Sequence, residues 1–434
     1  MIYFNVHSGV NIPKKKDNTK NKSIEVSKPP KLLYFPMSMH IGKPANINVA
    51  IGDNVKIGSL LGTADGTISA NIHSSVSGKV VDIVEMDGFR GNSKTVVVEN
   101  DFKDEKISLE KLDDRIDVDT FVQRLLDAGI TGKGGAGFPT SVKYKAEKDK
   151  MRYIVINGAE CEPYSTTDHR IMIEYADQIV KTVNFIGNIY EIEQEHIAIE
   201  GHMEEAIKSL KLAIEKNEAA NISIHELGDE YPQGHAGLQI REVLGIEIEE
   251  GSRTGDVGVL QSNVSTIKAI HDAIFLGDPL TKRAITISGE MINNPKNLMV
   301  RNGTPISHLI DECEGLKSED ITLINGGPMM GKIFEDTSYP ADKDTTTILA
   351  LEHIEAQEET ACIRCSRCVH SCPVALQPIV ISNAYKNNEV HKVPSLRSQT
   401  CISCGVCTYI CPANIPLLEN IQAINKQWKE IQNG

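Results

Sequence analysis

Tyr153-Ile154-Val155-Ile156-Asn157-Gly158-Ala159-Glu160-Cys161-Glu162-Pro163-Tyr164 is the stretch on which the fold turns. Its first five residues form a short apolar run of strand character. His196 to Glu200 and Ile222 to His225 are two more such runs, and between them Met203, Ala206, Ile207, Leu210 and Ile214 recur at helical spacing. Strand–helix–strand repetition over residues 119–260 implies a parallel sheet with helices on its faces. Such sheets bind ligands at the carboxyl ends of their strands. Asn157, Glu160 and Glu162 stand at that edge, where two acids and an amide suit hydrogen bonds to a ring system or a ribose. A capped turn leading into a helix near Thr167, with Asp168 matched to the helix dipole, explains the same residues without a ligand. Cys161 fits packing beside a cofactor better than metal binding.

Upstream lies Gly132-Lys133-Gly134-Gly135-Ala136-Gly137-Phe138-Pro139-Thr140, after a helix over Val122 to Ala128. Glycines let the backbone approach a phosphate, and successive N–H groups form an anion-binding nest. Lys133 or Lys143 is placed to pair with the phosphate. A flexible turn is the plain alternative, since a glycine-rich loop alone is a weak signal.

The flanks change character. Residues 1–31 read as an arm, rich in Lys, Asn, Ser and Pro from residue 11 onward. Residues 32–105 alternate short β runs with glycine turns, and Gly52 to Val81 is similar to the flattened barrel of biotinyl and lipoyl carrier domains. The hairpin segment Thr63 to Ser69 holds no lysine, so this module reads as scaffold. His40 and His73 within it have no partners at metal spacing and read as ordinary buried histidines. Residues 115–280 form the α/β domain and 284–350 a small β-grasp module with Cys313 in its core. A cluster domain covers 355–425, and the polar tail Asn425 to Gly434 reads as frayed.

Eight of the ten cysteines fall in that last domain as two copies of C-x2-C-x2-C-x3-C-P. Three thiolates two residues apart wrap one face of a cubane, while the fourth points to the other cluster. The spacing therefore predicts Cys362, Cys365, Cys368 and Cys411 on one [4Fe-4S] cluster, and Cys401, Cys404, Cys407 and Cys372 on a second. Zinc prefers paired C-x2-C knuckles, and a disulfide framework belongs to small secreted domains.

With 434 residues, 40% of them hydrophobic, the chain can bury several cores. A net charge of −14 argues against nucleic acid. No segment reads as a signal peptide or a transmembrane helix, so a cytoplasmic protein with at most peripheral membrane contact is expected.

Taken together these pieces resemble the C-type member of the Rnf ion-translocating oxidoreductase (the RnfC family) and, more distantly, the flavoprotein subunit of complex I. Besides the stretches already quoted, Pro36 to Gly42, Asp168-His169-Arg170, Tyr231-Pro232-Gln233-Gly234, Gln261 to Thr266 and Gly326 to Gly331 match in family order. The resemblance implies a multidomain α/β fold. It would comprise a Rossmann-like FMN/NADH-binding domain, a β hammerhead (biotinyl/lipoyl-like barrel-sandwich) module, an SLBB-like β-grasp module and a helical ferredoxin-like domain with two [4Fe-4S] clusters. It implies FMN on the glycine loop, NADH as substrate, and electrons passed singly to the clusters. Gly132, Gly134, Gly135, Gly137 and Lys143 would then hold the phosphate side. Asn157, Glu160, Asn263 and Thr266 would contact the flavin, Phe138 would stack on the adenine of NADH, and Glu162 would hold its ribose or nicotinamide end. Partners would be membrane-bound and soluble Rnf-type subunits, with ferredoxin reached indirectly, on the inner face of the cell membrane. One departure bears on NADH. After Gly234 the family usually carries an acid and then a lysine, whereas His235 and Ala236 stand here, removing an acceptor. A soluble paralogue feeding an amino-acid reductase of the proline reductase type is the alternative reading, and a structural iron–sulfur adaptor without flavin a third.

Overall fold

The computed structural model describes residues 9–113, 115–146, 150–353, 355 and 357–433. The opening stretch forms the strand Tyr153–Asn157, second from the edge of a four-stranded parallel sheet. Ile222–Leu227, Gln194–Glu200, Tyr153–Asn157 and Val259–Asn263 lie in that order. Both faces of the strand are covered, which explains why its sequence is apolar without alternation. Ile154 and Ile156 join the large core with Phe121, Ile179 and Val183. Val155 packs on the other face with Ala198, Ile240 and Val259. Chain order reverses between Tyr153–Asn157 and Val259–Asn263, so a crevice opens beyond their carboxyl ends. Asn157 and Asn263 are register partners at that edge.

The helix before the glycine loop spans Val118–Asp127, four residues earlier than the sequence pattern suggests. Asp117 accepts the Thr120 N–H at 2.8 Å and fixes its start. The helix after Pro163 covers Thr167–Glu174, as the pattern indicates.

Residues 32 onward form two small antiparallel sheets around Leu33, Phe35, Leu61, Ile72, Val96 and Val98. The β-grasp region is a six-stranded mixed sheet with Cys313 fully buried in its core. The last domain is helical, around Val374, Ile381, Val393, Ile421 and Ile424.

The described part of the N-terminal arm (residues 9–31) is a strap woven through the molecule. Gly9 N–H donates to the Ser371 carbonyl at 3.2 Å, and Val10 exchanges backbone hydrogen bonds with Tyr231. Tyr164 N–H donates to the Lys14 carbonyl at 2.9 Å, and Ile24–Val26 adds a parallel strand to the β-grasp sheet. Polar composition signals exposure only when no remote partner takes up the polar groups. The expectation of a frayed tail is corrected, because residues 425–433 are the end of the helix Leu417–Asn433. Asn425 exchanges two side-chain hydrogen bonds with Ser398, at 2.6 and 2.8 Å. Gly434 lies outside the described residues.

Candidate functional site

The crevice is a cavity of about 420 Å³. Its floor is the carboxyl edge of the sheet, with Asn157, Gln261, Ser262 and Asn263. The glycine-rich loop also lines it, as do Ile402 and Cys404 of the helical domain.

The loop is a closed turn. Gly132 N–H donates to the Phe138 carbonyl at 2.8 Å, while Lys133 N–H donates to Thr266 Oγ1 at 2.9 Å. Gly135, at φ +97°, and Gly137, at φ +64°, occupy backbone conformations that disfavour side chains. Gly132, Gly134, Phe138 and Lys143 line the cavity, whereas Gly135 and Gly137 do not, Gly135 being exposed and Gly137 buried. Lys133 departs from the sequence reading. Its ammonium is buried and turned to the Lys282 carbonyl at 3.3 Å, away from the cavity, and burial holds its pKa well below the ordinary lysine value. Lys143 is the lysine that lines the cavity, bonded to the Gln261 carbonyl.

Outside the loop sits Arg90, on the hairpin between the strands Gly78–Met86 and Ser93–Asn100. Its guanidinium donates to the Ala136 carbonyl at 3.2 Å and pairs with Asp344. Ile41 N–H donates to the Gly137 carbonyl at 3.0 Å. A Cβ on Gly137 would collide with the Arg90 guanidinium.

Asn157, Glu160, Asn263 and Thr266 all line the cavity, and each is also locked by the protein. Asn157 donates to the Gly234 carbonyl and accepts from Ala159 N–H and Gln239, at 2.8 to 2.9 Å. Glu160 caps the helix Thr167–Glu174, accepting from Ser165, Thr167, Asp168 N–H and His169 N–H. The buried ammonium of Lys16 lies 3.8 Å from Glu160 Oε2. Asn263 caps the helix Val264–His271 through Ser265 N–H and donates to Asp168 at 2.6 Å. Burial and the neighbouring Glu160 raise the Asp168 carboxyl to about 6.

Glu162 differs from these. One carboxylate oxygen accepts Met329 N–H at 3.1 Å, while the other is buried without a partner of good geometry, as is the Tyr231 hydroxyl. Burial pushes its pKa up to about 7, against backbone N–H groups that lower it. His235 lines the same cavity, and burial lowers its pKa, which favours the neutral ring. Cys161 shares a small apolar cluster with Tyr231 and Cys404, its thiol pushed up to about 11 by burial.

The eight motif cysteines form two groups. Cys362, Cys365, Cys368 and Cys411 surround one cavity of about 350 Å³. Cys372, Cys401, Cys404 and Cys407 line a narrower gap. Burial and, next, crowding by the thiols of their own set raise Cys368 and Cys404, the latter to about 12. Backbone N–H groups point at sulfur: Arg364 at Cys362, Leu376 at Cys372 and Ser403 at Cys401, at 3.3 to 3.4 Å. The second group borders the large cavity through Cys404, while Cys362 and Cys365 are exposed.

His40 and His73 are buried beside Lys343. Burial, then that lysine, lowers them to about 4 and about 3. His40 uses both ring nitrogens, but His73 leaves Nδ1 without a partner. Glu200, His202 and Asp229 present ligand atoms within 4.8 Å of one another. The Lys14 ammonium already compensates them, 2.7 Å from Glu200 and 2.9 Å from the Asp229 carbonyl. Lys16, Tyr231 and Thr346 are site neighbours to which the sequence assigns no role, because their surroundings carry no ligand motif, whereas Cys404, a cluster cysteine by its spacing, also borders the cavity.

The glycine cradle, Lys143 and the neighbouring Glu162 carboxyl and Tyr231 hydroxyl suit a flat, polar-edged ring with an anionic tail. The two thiol sets suit iron–sulfur clusters.

The sequence matches four families: the Nuo51 FMN-binding domain over residues 125–272, the RnfC barrel sandwich hybrid domain over 4–103, the SLBB domain over 284–332 and the 4Fe-4S dicluster domain over 361–415. It is 39% identical to the RnfC-type subunit of the proton-translocating ferredoxin:NAD(+) oxidoreductase complex of Clostridium ljungdahlii, covering 86% of this chain and 83% of that one. It is 36% identical to the corresponding subunit of the Na(+)-translocating complex of Acetobacterium woodii, covering 89% and 88%. An NAD+-reducing [NiFe]-hydrogenase in the H2-reduced state shares the fold, with a TM-score of 0.53 and 14% identity over 73% of this chain and 62% of that chain.

Proposed function

Because this chain belongs to the RnfC family of ion-translocating ferredoxin:NAD oxidoreductase complexes, we propose that it is the subunit through which NADH exchanges electrons with the rest of such a complex. FMN, when bound, exchanges two electrons with a nicotinamide and one with an iron–sulfur centre. The observation that carries this reading is one cavity lined both by the glycine loop and by Cys404 of the helical domain.

The chain's residues divide the work. Backbone N–H groups of the loop and the Lys143 ammonium bind an anionic tail. Asn157, Asn263 and Thr266, held by their internal bonds, keep the floor rigid and present polar edges to the ring. Phe138 offers an aromatic face to a base, and Glu162 accepts hydrogen bonds from a ribose or carboxamide. Cys372, Cys401, Cys404 and Cys407 would hold the cluster nearer the cavity, and Cys362, Cys365, Cys368 and Cys411 the outer one. Among the described residues no helix is long and apolar enough to cross a membrane, so attachment would run through partner subunits on the inner face. The relatives named above are subunits of ion-translocating complexes, and no observation favours a soluble carrier for an amino-acid reductase.

Anaerobic reduction of the reconstituted chain by NADH tests this, followed at the flavin absorbance band and by EPR. Bleaching accompanied by two [4Fe-4S] signals is expected. A bound flavin reducible by dithionite but inert to NADH would remove the NADH role, and would place the fault at His235 and Ala236.

A further inference from the structure

A buried cation stands behind the glycine loop. Arg283 belongs to the strand Lys282–Ser288 of the β-grasp sheet, and its side chain is fully buried. The guanidinium donates to three backbone carbonyls, Lys343 at 2.8 Å, Ala284 at 3.2 Å and Lys133 at 3.4 Å. The carboxylates that bear on its charge are Asp344, Asp168 and Asp342, none of them in an ion pair with it among the described residues. Asp344 is paired with Arg90, and Asp168 accepts from Asn263 and Ser265. Burial and, next, Asp344 raise the pKa of Asp342, which favours its neutral acid. The flanking ammonium groups of Lys133 and Lys343 are buried on carbonyls as well and bring no negative charge. Burial lowers the Arg283 pKa to about 10, so the group stays charged at neutral pH. A buried charge left uncompensated in this way is costly.

The same guanidinium helps to orient the loop. A planar trans peptide points its C=O and the next residue's N–H in opposite directions. Arg283 holds the Lys133 carbonyl, Arg90 the Ala136 carbonyl and Ile41 N–H the Gly137 carbonyl. The N–H groups of Gly134, Gly137 and Phe138 are thereby turned away from these three donors, and among the described residues they have no acceptor. Gly134 and Phe138 line the cavity.

We propose that Arg283 is a positioning residue for the phosphate monoester tail of FMN: it fixes the Lys133–Gly134 peptide with its N–H toward the tail, and from behind the loop it supplies the positive charge that selects a dianionic tail over a neutral one. The inference rests on the reading of this cavity as the FMN site. A phosphate monoester carries about −1.5 to −2 charges at neutral pH and so compensates the guanidinium without touching it.

The test is titration of the flavin-free full chain with two probes, FMN and riboflavin, which differ only in the phosphate, each followed by flavin fluorescence. The wild type should bind FMN about a hundredfold or more tighter than riboflavin. That ratio should hold within about threefold between about 50 and 500 mM salt, because a buried charge is screened little. Arg283→Gln should weaken FMN about tenfold or more and leave riboflavin within about twofold. Arg283→Lys keeps the charge but not the fork, and should cost FMN only about threefold. The 31P resonance of bound FMN should shift in both variants. Equal weakening of the two flavins would make Arg283 a purely structural residue and overturn the proposal, as would a ratio unchanged in both variants. Should Arg283→Gln fail to fold, Arg283→Lys and the wild-type salt series decide: an unchanged ratio in the first, or a ratio that collapses with salt in the second, overturns it. A wild type that binds neither flavin removes the reading of the cavity itself, an outcome distinct from all of these.

Discussion

Glu162 is the site's most informative single residue. An ordinary carboxylate is ionised at neutral pH, but burial lifts this one to about 7. A nucleotide that donates hydrogen bonds to it needs the ionised form. Affinity for NADH should therefore rise about tenfold from pH 6 to pH 8, since each pKa unit carries a factor of ten. Glu162→Gln should give a flat profile at lower affinity, and calorimetric titration across that range checks both. A profile that falls with pH would mean that the protonated acid is the binding form. The folding sign is opposite. A group whose pKa is raised on folding favours the native state at low pH, and that contribution fades as pH climbs from the ordinary carboxylate range through 7. Much at this scale is legible in sequence. Asn157, Glu160 and Glu162 reach the cavity because strand and loop are contiguous. What each side chain does there is not legible. Glu160 is a helix cap paired with Lys16, and Lys133 faces away, because their partners come from remote segments.

At the scale of elements, the glycine loop owes its shape to a neighbour. The barrel module reads as scaffold from its lysine-free hairpin, yet it touches the loop through Ile41 N–H and through Arg90 on a second hairpin. Arg90→Ala removes a charged hydrogen bond and the partner of Asp344, interactions worth about 1.5–3 kcal/mol. FMN affinity, followed by fluorescence, should weaken about tenfold or more, and Arg90→Lys should recover part of it. Hydrogen exchange at residues 132–138 should quicken in the alanine variant alone. An unchanged affinity would show that the loop holds its own form. The parallel sheet itself was readable, since its strands are apolar on both faces and its helices periodic. The buttress was not, because a contact between a hairpin tip and a loop leaves no periodic trace.

For the whole molecule, four regions with distinct sequence signatures are joined by a segment with none. The strap carries two cations inward: Lys14 to the buried Glu200, and Lys16 to the buried Glu160. Removing one partner of a buried pair leaves the other charge stranded, at a typical cost of about 3–5 kcal/mol. Lys16→Met should destabilise the chain by about that much in urea, and adding Glu160→Gln should restore part of the loss. If the two substitutions prove additive, the pair is not coupled. The strap also imposes an order on biosynthesis. Gly9 finds its partner at Ser371, about 360 residues later, so this contact cannot form until the helical domain has been made. The strap must therefore wait unengaged while the sheet, the barrel and the β-grasp module take shape.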